Sequence, residues 1–244
     1  MYFSPRFRQG VKAAIPIWIA FIPSSLAFGV AAQAHGLHLG EVILMSAWVY
    51  SGPAQFAMLA PIAEGKSSLQ ILLAASVINL RFLPMSAALA PYFRGAPLRR
   101  LLGAAQFIVA SSFIVPYLRF RQEAESRAQA TAEDPPAEGP SNLIFFLGVG
   151  ITSFFVWVVG TGIGHEFAQG LPSGFEEGLK FILPGYFAGM LVIDMRGRAL
   201  PLICLASLIL TVPAIVLSPD WGWIITVILV ATAGWRMEQW TKRA

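Results

Sequence analysis

Charged residues are scarce in this chain, and cysteine is almost absent. Asp, Glu, Lys and Arg make up 12% of its 244 residues, against roughly 25% in a soluble domain. A single cysteine, Cys204, excludes a disulfide within the chain. No nucleophile, base and acid stand together, and no Cys, His or carboxylate set has ligand spacing. We therefore predict no catalytic residues, no metal site and no cofactor.

Long runs of apolar residues dominate the rest of the sequence. Hydrophobic residues make up 56% of the chain, and a helix needs about 20 of them in a row to cross a bilayer. The candidate spans are 11–34, 41–63, 68–90, 99–118, 142–165, 178–195, 199–217 and 222–236. The sequence predicts an all-α integral membrane protein with seven or eight transmembrane helices.

The basic residues indicate how the helices are oriented. Net charge is +4, but the basic residues cluster beside helix ends, which favours membrane topology over nucleic-acid binding. With eight spans and both termini cytoplasmic, Arg94, Arg99, Arg100 and Lys180 lie outside. Twelve basic residues lie inside: Arg6, Arg8, Lys12, Lys66, Arg119, Arg121, Arg127, Arg196, Arg198, Arg236, Lys242 and Arg243. The three arginines fit this scheme poorly. A re-entrant segment 99–118, with seven crossings, is the alternative.

A polar linker, 121–141, divides the chain into a first transmembrane half, 1–120, and a second, 142–244. A shift of 131 positions superposes 11–34 on 142–165 and Gly29 on Gly160. Two weakly repeated halves with broken helices are typical of secondary transporters, which hold their substrate near the middle of the membrane. The shift is compatible with parallel and with inverted halves.

Arg81 is the only charged residue in the interior of a long apolar block. A guanidinium keeps its proton, so it must face a polar cavity, a partner or water. Pro53 has no amide hydrogen and breaks its helix, so a half-helix that begins there directs free amides and a positive dipole at an anion. Leu183-Pro184 offers a second break. The predicted substrate-binding residues are Ser51, Gly52, Pro53, Gln55, Asn79, Arg81, Pro184 and Tyr186.

A purely structural interpretation competes with this one. Gly and Pro are common in membrane helices, and many kinks serve only packing. Two breaks that coincide with a buried arginine and an asparagine favour a binding site instead.

Four segments, in their order and spacing, resemble the AzlC-like family, the large subunit of branched-chain amino acid exporters. They are Pro23–Gly29, Met45-Ser46, Tyr50-Ser-Gly-Pro-Ala-Gln-Phe56 and Asn79-Leu-Arg81. Trp157, Gly160-Thr161 and Leu183-Pro184 extend the resemblance into the second half. It implies export of branched-chain or related amino acids across the inner membrane, with a small AzlD-like membrane subunit as partner.

The chain departs from the family pattern at two places. Gln106 stands where the family often carries an acidic motif, so this chain has no acid there through which to couple a proton. Tyr50-Ser-Gly-Pro replaces Phe-Ala-Gly and a small residue, which narrows the break and bears on substrate choice.

The leading hypothesis is a secondary transporter that exports an amino acid, whose carboxylate meets Arg81 or the amides near Gly52–Gln55. The chain has no ATP-binding motif, so an ion gradient or the substrate's own gradient must drive transport. The alternative is a non-transporting membrane scaffold or assembly subunit, in which Arg81 pairs with a second protein.

Overall fold

A computed structural model describes residues 4–129, 139–168 and 170, with scattered positions between 205 and 232. These residues include helices, turns and loops, and no strand occurs among them. The chain divides into two compact units, 1–184 and 185–244. In the second unit the described positions are helical. Pro184, Tyr186 and the predicted span 178–195 lie outside the described residues.

Eight α-helices and one 3-10 turn are bounded in the described part of the first unit. They are α1 Pro5–Ala34, α2 Leu39–Val49, α3 Gly52–Ala63, α4 Ser68–Asn79, α5 Phe82–Leu89, the turn Ala90–Phe93, α6 Leu98–Ala105, α7 Ala110–Gln129 and α8 Gly139–Ala168. Helices α1 and α8, each of 30 residues, are long and apolar enough to cross a bilayer. The segment from Ser68 to Phe93, bent by 42° at its break, is a third candidate. Predicted spans 41–63, 68–90 and 99–118 are therefore each broken.

Helices α1 and α8 pack side by side so closely that their glycines have no room for a side chain. A Cβ on Gly10 would collide with the carbonyl of Phe145, and one on Gly29 would collide with the carbonyl of Thr161. Residue numbers at these contacts increase in the same direction along both helices, so the two helices run parallel. Small residues allow this approach, which membrane helices use to gain dispersion contacts. The two segments that the 131-residue shift superposes therefore point the same way.

The parallel pair gives the unit two distinguishable ends. We call the end where α1 and α8 begin, with Arg6 and Asn142, the arginine end. The opposite end, with His35 and His165, is the histidine end. Residues 150–154 of α8 lie halfway between them.

Helices α2 and α3 form a hairpin that enters from the histidine end and returns toward it. Ser46 of α2 bonds Thr161 of α8, and Tyr50 packs on Phe154, about two turns further toward the centre. After the break, the ring of Phe56 packs on Phe28, next to Gly29. The Gln55 amide also reaches back to the Ser46 hydroxyl at 2.9 Å. Nine residues of continuous helix would separate these two positions by about 13 Å along the axis.

Helices α4 and α5 then cross from the histidine end to the arginine end. Helix α4 packs against α3 through a small cluster that includes Ala54, Met58 and Ala75. Its last residue, Asn79, lies beside Ser51. Beyond the bend, Phe93 packs on Phe146 near the start of α8.

Helices α6 and α7 form a second hairpin, which enters from the arginine end. The carbonyl of Arg94 lies against Gly139, at the start of α8. Phe107, between the two helices, contacts Phe154 at the centre. Helix α7 then returns, and Glu123 meets Arg6. Segment 99–118 thus turns near the centre and returns to the arginine end, the path that the re-entrant alternative predicts.

This arrangement corrects the expected placement of four basic residues. Arg94, Arg99 and Arg100 lie at the same end as Arg6, whereas Lys66, in the loop between α3 and α4, lies at the opposite end. The poor fit of the three arginines came from counting α6 and α7 as one crossing helix.

An ionic cluster joins three helices at the arginine end. Glu123 of α7 accepts bonds of 2.8 Å from Arg6 and from Arg119, and Arg6 also reaches Asn142 of α8 at 3.2 Å. Burial raises the pKa of Glu123, but the hydrogen bonds and charges of the two arginines outweigh it and lower the pKa overall. The carboxylate therefore stays ionised and holds α1 and α7 together at neutral pH.

We expect Gly164→Ala to destabilise the protein by about 2–3 kcal/mol, because a Cβ there would collide with the backbone of Leu26. Gly103→Ala is the matched control, since a Cβ at Gly103 meets open space and alanine favours a helix by up to about 1 kcal/mol. Thermal unfolding of the purified proteins in detergent measures both. Equal melting temperatures for the two variants would contradict the close packing of α1 and α8.

The hairpin arrangement predicts which exposed positions share a side of the membrane. In a Cys204→Ser background, we expect Arg8→Cys and Arg100→Cys to react with an impermeant maleimide from one side, and Lys66→Cys from the other. All three side chains are exposed. Labelling of Arg100→Cys and Lys66→Cys from the same side would show that α6 and α7 cross the membrane.

Candidate functional site

The connection between α2 and α3 is a sharp, non-helical break at the centre of the unit. Tyr50 ends α2 with φ 39° and ψ 48°, the left-handed conformation, and Ser51 is extended. Gly52 and Pro53 then begin α3, where the missing proline N–H leaves no hydrogen bond unmade. The predicted break at Pro53 is therefore present.

Three of the predicted residues meet at this break. The Ser51 hydroxyl donates to Asn79 Oδ1 at 2.7 Å, and Arg81 Nη2 donates to the Ser51 Oγ at 3.4 Å. Arg81 lies between α4 and α5, where the helix axis bends, and its guanidinium lies 5.2 Å from the centre of the Phe82 ring. We call Ser51, Asn79 and Arg81 the arginine cluster.

The arginine cluster lies at the amino-terminal end of α3. Ser51 occupies the N-cap position, yet its side chain makes no capping bond to the helix. Its hydroxyl turns to Asn79 and Arg81 instead. The dipole of α3 and the guanidinium therefore place positive charge in the same region, which favours an anion.

Gln55, also a predicted site residue, belongs to a separate buried network. Its Oε1 accepts from Trp157 Nε1 at 3.0 Å, and its amide donates to the Ser46 hydroxyl at 2.9 Å. Ser46 donates to Thr161 at 3.1 Å, and Thr161 donates to the Trp157 carbonyl at 2.8 Å. These four residues are at most 2% exposed. The network binds the α2–α3 hairpin to α8.

A buried polar stripe runs along α8 from the centre to the histidine end. Ser153, Trp157, Thr161 and His165 follow one another at intervals of four residues, which places them on one face of the helix. His165 Nε2 lies 2.9 Å from the Leu37 carbonyl. A polar pocket of about 400 Å³ opens beside His165 and is lined in part by Gln33, His38 and Glu166. The stripe therefore joins the centre to a surface pocket.

The α6–α7 hairpin touches the α2–α3 hairpin where both turn. Gln106 Nε2 donates to the carbonyls of Ala47 and Trp48, at 3.0 and 3.1 Å. These carbonyls belong to the last turn of α2, where helical partners are missing. An ionised carboxylate at position 106 would meet them with like charge, whereas the glutamine amide donates to them.

Several residues of this region carried no role in the sequence-based site. Ser46, Trp157 and Thr161 were noted only within the family resemblance, and Gln106 only as a departure from it. Each is a polar residue in an apolar segment, and that is the sequence feature by which it could have been identified. Pairing Ser46 with Thr161, 115 positions apart, requires knowledge of the hairpin.

We expect Gln55→Leu to destabilise the protein by about 2–4 kcal/mol, because the buried indole N–H of Trp157 loses its acceptor and the Ser46 hydroxyl loses the donor that Gln55 supplies. Gln33→Leu is the matched control, since Gln33 lies half-buried at the surface pocket. Unfolding temperatures of the two purified variants give the comparison. A Gln55→Leu protein as stable as the control would show that the network does not hold the hairpin.

Comparisons with known proteins agree with a membrane location. A family model described as AzlC protein matches residues 16–171. Inner membrane protein YgaZ of Escherichia coli (strain K12) is 28% identical over 198 residues, which cover 80% of this chain and 76% of that protein. An uncharacterized membrane protein of Archaeoglobus fulgidus is 26% identical over 199 residues, covering 80% and 78%. No solved structure gives a significant match.

Proposed function

Because the chain belongs to the AzlC family of membrane proteins, we propose that it is a secondary transporter that exports amino acids. The family is one of membrane transport proteins and not of enzymes. The observation that carries the proposal is the arginine cluster, which places a guanidinium beside a helix amino terminus at a break halfway through the unit.

The arginine cluster suits the carboxylate of an amino acid. A guanidinium carries five N–H donors, so it can hold the Ser51 hydroxyl and a carboxylate together. Free amides at the start of α3 supply further donors, as in transporters that bind an anionic group at the end of a broken helix. Pro53 and Gly52 contribute through the backbone. Pro53 has no N–H to continue the helical hydrogen bonds, and Gly52 has no side chain to fill the space beside the break.

The branched-chain preference and the partner rest on the resemblance in the sequence. A small AzlD-like subunit would cover part of the apolar surface of α2 and α4, where the side chains of Leu44 and Trp48 in α2 are 70% and 87% exposed and that of Leu72 in α4 is 63% exposed. The bilayer covers the remainder. Copurification of a small multi-span protein with this chain tests the partner.

The distribution of positive charge supports an orientation in the inner membrane. Arg6, Arg8 and Lys12 lie at the arginine end with Arg94, Arg99 and Arg100, and Lys66 lies at the other end. Since cytoplasmic loops carry the excess of Lys and Arg, the arginine end faces the cytoplasm. The amino terminus then lies inside, and we extend the same assignment to the carboxyl terminus.

We expect Arg81→Ala to abolish leucine efflux while the protein still inserts, because removal of a charge from the centre of the bilayer favours insertion. Arg81→Lys should lower efflux by roughly tenfold, since it keeps the charge but loses the planar fork that binds a carboxylate at two points. Asn79→Ala should have a smaller effect. Efflux from proteoliposomes loaded with labelled leucine measures each variant.

Arg121→Ala is the control, because Arg121 pairs with Glu125 on an exposed part of α7. Efflux at the wild-type rate from a stably folded Arg81→Ala protein would contradict carboxylate binding by Arg81. The scaffold alternative makes a different prediction: Arg81→Ala would lose the complex with a second protein, and the wild-type chain would release no amino acid.

A further inference from the structure

We propose that Tyr50 binds the ammonium group of the transported amino acid. This inference rests on the proposed function, because it takes the carboxylate of the same substrate to lie at Arg81 and the start of α3. It places the ammonium end of the zwitterion on the α2 side of the break, across from the carboxylate.

The hydroxyl of Tyr50 is a buried polar group that forms no hydrogen bond with the described part of the chain. Tyr50 is 3% exposed, and its hydroxyl has no hydrogen-bond partner among the residues that the structure describes. Buried polar atoms in native proteins are nearly always paired, so an unpaired one requires an explanation. A ligand that reaches the break between α2 and α3 would supply the missing partner.

The backbone of Tyr50 points to the same conclusion. It is the only residue other than glycine with a positive φ in the described part of the chain. This conformation costs a bulky residue of this kind about 1–2 kcal/mol relative to a right-handed one, and such conformations cluster at binding sites. Glycine would adopt it without strain, yet a tyrosine occupies the position. The side chain is therefore the feature that this position needs.

The surroundings of Tyr50 favour a cation. Tyr50 caps the carboxyl-terminal end of α2, where the helix dipole is negative and the last carbonyls lack helical partners. Gln106 occupies the carbonyls of Ala47 and Trp48 with a neutral amide, which adds no positive charge. The ring of Tyr50 meets Phe154 at 5.0 Å between centres, and aromatic faces attract ammonium groups.

The two sides of the break thus carry opposite charge within a few residues. Helix α2 ends at Val49 with its negative end, and α3 begins at Gly52 with its positive end beside Arg81. An α-amino acid has the matching pattern, with an ammonium and a carboxylate on one carbon atom. The Tyr50 hydroxyl accepts a hydrogen bond from the ammonium, so an acidic side chain is not required for this contact.

Tyr50→Phe tests the proposal because it removes only the hydroxyl. The unliganded protein should be as stable as wild type, since the hydroxyl bonds none of the residues that the structure describes. Binding to the full chain in lipid nanodiscs is measured with three probes: L-leucine, 4-methylpentanoate, which lacks the ammonium, and 3-methylbutylamine, which lacks the carboxylate. We expect Tyr50→Phe to weaken L-leucine binding by about tenfold or more and to leave 4-methylpentanoate binding unchanged.

Arg81→Lys gives the reciprocal result, with weaker binding of L-leucine and 4-methylpentanoate and unchanged binding of 3-methylbutylamine. Tyr117→Phe, at the arginine end, is the matched control and should bind all three probes as wild type does. Equal L-leucine affinity in Tyr50→Phe and wild type would overturn the assignment, as would an equal loss for L-leucine and 4-methylpentanoate. Failure of wild type to bind L-leucine would reject the proposed function itself, and the assignment of Tyr50 with it.

Discussion

The close contact between α1 and α8 is the constraint on which the rest of the described unit depends. Gly10, Gly29, Gly148 and Gly164 lie so near the opposite backbone that a methyl group would collide with it. In a bilayer, apolar side chains gain little by leaving lipid, so dispersion contacts between backbones at this distance are the main attraction available. The pair then presents fixed surfaces along its whole length. Both hairpins pack against those surfaces at residues that α8 supplies.

The parallel direction of this pair limits how the intervening chain can run. A chain that leaves α1 at the histidine end must return to the arginine end before α8 begins. The segment from Ser68 to Phe93 makes that return, and each hairpin comes back to the end from which it entered. All the arginines between 94 and 121 therefore lie at the same end of the unit as Arg6. Positive charge then collects at one end, as the positive-inside rule requires.

The sequence predicted the helix breaks more successfully than the path of the chain through them. Pro53 lacks an amide hydrogen, and Arg81 is costly in lipid, so both positions can be recognised from the local sequence alone. Whether a break bends a span or reverses it depends on contacts with distant residues. Gln55 turns α3 back toward Ser46 because Trp157 donates to the Gln55 Oε1 and Thr161 accepts from the Ser46 hydroxyl, which Gln55 itself bonds. Those partners are 102 and 115 positions away from the groups they bind, and no local pattern connects them.

The site residues likewise divide into those that the sequence could identify and those that only the structure reveals. Ser51, Asn79 and Arg81 could be grouped from their residue types, and the structure brings them together. Gln55 has the polar character of a binding residue but both ends of its amide are engaged within the protein, so its contribution is to hold the hairpin. The hydroxyl of Tyr50 could not be distinguished from other buried hydroxyls without knowing that it bonds no residue of the described ranges.

The chemistry at the centre of the unit relies on neutral groups and helix ends, with Arg81 as its one charged side chain in the arginine cluster. The contact between the two hairpins is also made by a neutral group, because the amide of Gln106 donates to carbonyls of α2 at any physiological pH. A carboxylic acid could make such a contact only while protonated, and its ionisation would part the two hairpins. In this chain the contact is independent of protonation. If a proton is coupled to transport, its binding site must therefore lie elsewhere.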